Sequence, residues 1–174
     1  MTAEELLTTS IPNKQVELVR GRLIVREPPG YQHGRVGHRI ATKIAEFASR
    51  HDLGVVVAAE TGFKLSAKPD TVRAADAAFI ARDRAPASEP AGYLHLAPDL
   101  VVEVLSPTDR AGAVQSKVSD WLTAGSLLVW VIDPVRRRGV VYRADASVGL
   151  LGDTDALDGE DVLPGFSCPL AEIL

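Results

Sequence analysis

The stretch Pro98-Asp99-Leu100-Val101-Val102-Glu103-Val104-Leu105-Ser106-Pro107 decides how this chain is read. Every residue from Leu100 to Leu105 except Glu103 is apolar, and Ser106-Pro107 closes the run too early for an ordinary helix. A short, near-continuous apolar run of this kind suits a central strand covered on both faces. Alternation sends Val101, Glu103 and Leu105 to one face, and Leu100, Val102 and Val104 to the other. Glu103 is then a carboxylate inside a dry strand, which is costly unless something pairs it.

Downstream, Ser106-Pro107-Thr108-Asp109 breaks the strand and offers a helix cap. Residues 110–124 predict that helix, with Val114, Val118, Trp121 and Leu122 on one side and Gly125 as its stop. Lys117 falls in its first half, flanked by the apolar stripe. Residues 127–132 and 139–143 predict a strand pair, and a last strand or loop is expected near Leu163-Pro164-Gly165-Phe166. Upstream, residues 72–80 predict a strand carrying Asp76. Residues 55–60 and 63–65 predict two more, and residues 81–92, rich in Pro, Ala and charge, a loop. Val36, Ile40, Ile44 and Phe47 recur at helical spacing within residues 32–50. Residues 16–25 predict two strands turning at Arg20-Gly21, and residues 3–8 a short helix. The order is that of a single α/β domain over residues 1–174, with a central mixed β-sheet flanked by helices.

Composition narrows the function classes. With 174 residues, 46% hydrophobic and 24% charged, the chain is globular rather than disordered. Its one cysteine, Cys168, excludes an intrachain disulfide and a cysteine-rich zinc site, and reads as a packing residue. No apolar run approaches the ~18 residues of a membrane helix, and Met1-Thr2-Ala3-Glu4-Glu5 does not resemble a signal peptide, so a cytoplasmic protein without a membrane is expected. The net charge of −4 argues against a surface built throughout to hold nucleic acid. The excess acidity lies in residues 144–174, whereas residues 31–51 are basic and offer Arg35, Arg39 and Lys43 as a phosphate track. Arg136, Arg137 and Arg138 form a second basic strip or a solvated turn. Glycine-rich phosphate loops and the nucleophile elbow are absent. His33 and His38 stand about 140° apart around a helix, so they are not paired zinc ligands.

The chemistry left is that of Asp76 and Glu103, two carboxylates in apolar strands, with Lys117 on the following helix. If the strands are neighbours, the carboxylates converge, and a divalent cation removes their repulsion. The structural alternative is that Glu103 pairs with Arg73 or Lys117 and Asp76 caps a strand end.

An ordered set of segments resembles the Uma2 family, a domain of unknown function within the PD-(D/E)XK nuclease superfamily. The set comprises Val16-Glu17-Leu18-Val19-Arg20-Gly21-Arg22-Leu23, the helix of His33, Asp76-Ala77-Ala78-Phe79-Ile80, the Glu103 strand, Lys117, Trp130-Val131-Ile132-Asp133-Pro134 and Leu163-Pro164-Gly165-Phe166. The resemblance implies a restriction endonuclease-like fold and a metal-dependent endonuclease hydrolysing phosphodiester bonds of nucleic acid, DNA in the first place. It implies Asp76, Glu103 and the backbone carbonyl of Val104 as ligands of Mg²⁺ or Mn²⁺, Lys117 as the catalytic lysine moved onto the helix, and Glu17 as a further acid of the site. Leu105 stands two residues after the second acid, where the wider superfamily has its lysine, and Ala75 replaces the usual proline before the first aspartate. The rival expectation is a catalytically inactive nuclease-fold protein acting as a binding or interaction module. A hydrolase of small phosphate esters is a third. Apolar edge strands suggest a homodimer.

Overall fold

The structure is a computed structural model describing residues 1–174. The chain begins with α1 (Ala3–Leu7), the hairpin β1 (Gln15–Val19) and β2 (Arg22–Arg26), and α2 (Tyr31–His51). Strands β3 (Gly54–Ser66), β4 (Thr71–Ala81) and β5 (Leu100–Val104) follow, then α3 (Ala111–Thr123). Next come β6 (Leu128–Asp133), β7 (Arg138–Arg143) and β8 (Val148–Leu151). The short pair β9 (Ala156–Asp158) and β10 (Ser167–Pro169) and a 3₁₀ turn end the chain.

The main sheet runs β2-β1-β4-β5-β6-β7-β8, with β3 pairing β4. It is mixed, because β5 and β6 are parallel and joined through α3 while the other pairs are antiparallel. All five residues of β5 are buried, as expected of a strand covered on both sides. Leu100, Val102 and Val104 join the core under α2, where Val36, Ile40, Ile44 and Ala48 form the helix's inner stripe. Val101 packs on the opposite side with Val118 and Trp121 of α3.

Two expectations about elements are corrected. Residues 55–60 and 63–65 form one strand, because a bulge absorbs the break: Ala58 faces Ala77, Thr61 faces Ala75, and Glu60 takes φ 68°. The N-cap of α3 is Arg110 and has no side-chain bond, since Asp109 instead accepts from the Ser106 N–H at 2.8 Å. Of the strand or loop expected near residues 163–166, the structure has the loop. It brings Phe166 onto Trp130, with ring centroids 5.8 Å apart, and the tail's strands lie to either side.

Candidate active site

The site lies where the sheet forks. Strand β4 pairs with β3 along one edge, while its other edge pairs with β1 at Val72 and with β5 from Ala77 to Phe79. On that second edge Arg73–Asp76 have no strand opposite them. Backbone groups so exposed cost about 1–3 kcal/mol each if buried without partners. Side chains fill the gap. Glu17 Oε1 accepts from the Ala74 N–H at 3.0 Å, and Lys117 Nζ donates to the Ala74 carbonyl at 2.7 Å. At the far side of the fork, the Val104 N–H donates to Asp76 Oδ2 at 2.7 Å. Strand β4 also changes face here. Ala75 packs on the α3 side, but Ala77 and Phe79 pack on the α2 side.

Glu103 faces α3, as alternation requires. Its Oε2 accepts from Lys117 Nζ at 2.8 Å and its Oε1 from the Trp121 indole N–H at 2.7 Å. Lys117 Nζ also lies 3.3 Å from Glu17 Oε1, so one ammonium touches two carboxylates and a backbone carbonyl. Glu17 is further held by Arg73, whose guanidinium reaches on to Asp120. Arg26 lies 3.6 Å from Glu17 and 3.5 Å from Asp109 without a hydrogen bond to either. His33 Nε2 lies 3.2 Å from Asp76 Oδ2. All these groups except Arg73, Asp120 and Trp121 line one cleft of about 940 Å³, where Asp76 and Glu103 meet His33, Arg26 and Lys117.

The electrostatics follow from burial and from too few cations. Burial pushes the Glu103 carboxyl up to about 7, and the Asp76 and Glu17 charges add to this against the pull of Lys117. Burial also opposes charge on Glu17, but Lys117, Arg73, the Ala74 N–H and Arg26 outweigh it and hold that carboxyl below its ordinary value. Lys117 loses hydration, yet Glu103, Glu17 and Asp76 keep it above the usual lysine value. The ammonium therefore stays charged, and Glu103 is the acid of the site whose ionisation the buried surroundings oppose most.

A family model described as "Uma2: Putative restriction endonuclease" matches residues 3–171. The chain belongs to the Uma2 family. A crystal structure titled as a putative nuclease belonging to DUF820 from Anabaena variabilis ATCC 29413 shares the fold, with a TM-score of 0.84 and 20% identity over 99% of this chain and 97% of that one. No curated protein matches. The mixed α/β architecture of this Uma2 chain is thus restriction endonuclease-like.

The Uma2 fold brings Glu17, Asp76, Glu103, Val104 and Lys117 into one cleft. Arg73 is not the partner of Glu103 and is spent on Glu17 and Asp120. Of the expected phosphate track Arg35, Arg39 and Lys43, two members have partners within the chain: Arg39 donates to the Leu174 carbonyl and Lys43 pairs with Glu172, because α2 packs against the C-terminal segment. Arg136 and Arg138 lie on Asp133, and Arg137 pairs with Asp153, so that strip is a salt-bridged turn. Sequence reading missed His33, Arg26, Trp121 Nε1 and the Arg73–Asp120 pair as parts of the site. The only signal was their type, a histidine just after Pro28-Pro29-Gly30 and an arginine inside an apolar strand.

The donor set fits a divalent cation. Asp76 Oδ1 is the one oxygen of the Glu17, Asp76 and Glu103 carboxylates with no hydrogen-bond donor. Glu17, Asp76, Glu103, Asp109 and Asp120 outnumber the permanent cations Arg26, Arg73 and Lys117. No three histidine, cysteine or carboxylate side chains converge into a closed cage. Two carboxylates, with other positions left to water and substrate oxygen, is how Mg²⁺ is commonly held.

Proposed function

We propose that this Uma2 chain is a divalent-metal-dependent endonuclease that hydrolyses phosphodiester bonds of DNA. The observation that carries the reading is the meeting of Asp76, Glu103 and Lys117 in the cleft at the fork, with Asp76 Oδ1 left without a donor. Asp76 and Glu103, with the Val104 carbonyl beside them, would hold Mg²⁺ or Mn²⁺. The bound cation supplies a water of lowered pKa and polarises the phosphate. Lys117, 2.8 Å from Glu103, keeps its proton and opposes the negative charge that grows on the phosphorus oxygens. Glu17 and the Ala74 carbonyl fix its ammonium from behind. Arg26 has unspent donors in the cleft and faces the flanking phosphates.

The test is cleavage of single- and double-stranded DNA with Mg²⁺ or Mn²⁺. Asp76→Ala and Glu103→Ala should each lower the rate by about 100- to 1,000-fold while circular dichroism stays that of the folded chain. Cleavage by either variant at the parental rate would overturn the reading. A homodimer belongs to the same reading, supported by the exposed Val148 and Leu150 on the outer strand β8, and sedimentation tests it.

One observation favours a second reading, an inactive binding module. Lys117 is already engaged with Glu103, Glu17 and the Ala74 carbonyl, so its ammonium is satisfied without a substrate. Mn²⁺ binding that is lost on Asp76→Asn separates the two.

A further inference from the structure

We propose that His33 is a positioning residue for Asp76: from the first turn of α2 it holds one carboxylate oxygen so that the other faces the cation. The inference rests on the metal-dependent reading above.

Asp76 Oδ2 is claimed from two sides, by the Val104 N–H at 2.7 Å and by His33 Nε2 at 3.2 Å. One partner comes from the end of β5 and the other from α2, so the carboxylate is clamped across the fork. Oδ1 is left without a donor, whereas both oxygens of Glu17 and both of Glu103 have one. His33 has no second polar partner: its Nδ1 is buried and unbonded, so the ring's only polar contact is Asp76. The approach of α2 is close at this point, with Gly37, one turn after His33, lying against Asp76. The ring acts through the carboxylate and not as a ligand, because it meets Oδ2, the oxygen that the Val104 N–H also holds, and not Oδ1. Partners behind a ligating carboxylate typically change metal affinity by about 10- to 100-fold.

The experiment titrates Mn²⁺ into the full chain and reads free Mn²⁺ by electron paramagnetic resonance, with circular dichroism and thermal unfolding as controls. His33→Ala should weaken binding by about 10- to 100-fold. His33→Gln, whose amide nitrogen reaches the position of Nε2, should restore most of it. Equal affinity of His33→Ala and the parent would overturn the inference. So would His33→Gln binding no better than His33→Ala, and a directly bonded nitrogen coupling in the parent's spectrum would then mark His33 as a ligand instead. Failure of the parent itself to bind Mn²⁺ removes the metal-dependent reading and this inference with it, and shows before any variant is made.

Discussion

Glu103 shows what a single carboxylate does in a strand whose other five positions from Leu100 to Leu105 are apolar. It is 6% exposed, and each of its oxygens is met by a donor from α3. Removing one donor leaves a buried acceptor short of a partner. Trp121→Phe should therefore cost about 1–3 kcal/mol in urea unfolding, beyond the small change in packing. Lys117→Met goes further, because Glu17, Glu103 and Asp76 lose their shared cation. About 3–5 kcal/mol of stability should go with it, and DNA cleavage should fall with it. A Lys117→Met protein as stable as the parent would show that the three carboxylates do not depend on that ammonium. Of these residues, Asp76 and Glu103 were legible in the sequence as carboxylates set in apolar strands and Lys117 as a charge flanking an apolar helix stripe, whereas Glu17 came only through the family resemblance. His33 and Arg26 were not, because their partners lie on other elements and neither spacing nor period connects them.

At the scale of elements, periodicity foretold most of the chain. The stripe of α2, the two-faced β5 and the helix after it all carry patterns that depend only on near neighbours in sequence. What failed was continuity. A bulge opposite Asp76 lets β3 run unbroken through Glu60, and that is settled by pairing with β4. Helix α1 is a second case of long-range support. Its Ala3 N–H donates to Asp70 at 2.8 Å, and Asp70 pairs with Lys64 at 2.9 Å. The Ala3 N–H and the Lys64 ammonium hold Asp70 at about 2, well below its ordinary value of 3.8. A group depressed in the folded state contributes stability above its unfolded value and loses it as pH falls through the folded one. The stability gap between the parent and Asp70→Asn should thus be full at about pH 5 and close between about pH 4 and 2. Urea unfolding across that range checks it, and a gap that stays constant would refute the anchoring role.

At the scale of the whole molecule, one site is assembled from β1, β2, β4, β5, α2 and α3, so anything that binds there stabilises the entire fold. Saturating Mn²⁺ should raise the melting temperature of the parent but not of Asp76→Asn. At a hundredfold excess over the dissociation constant the gain is about 2.7 kcal/mol. No rise in the parent would count against the metal-dependent reading. The C-terminal segment has the opposite role. It spends Arg39 and Lys43 on Leu174 and Glu172 and buries Leu170 and Ile173 beneath α2. Leu170→Ala should cost about 2–5 kcal/mol in unfolding without altering Mn²⁺ affinity. By itself, the amino-acid order determined the type and sequence of the main elements and the residues whose charge is out of place, because periodicity and desolvation act on short stretches. Only the tertiary structure decided that the sheet forks beside Asp76, that Glu17 and Lys117 fill the gap, and that His33 lies against the Asp76 carboxylate. Those relations depend on strand order and helix packing, which join residues far apart in the chain.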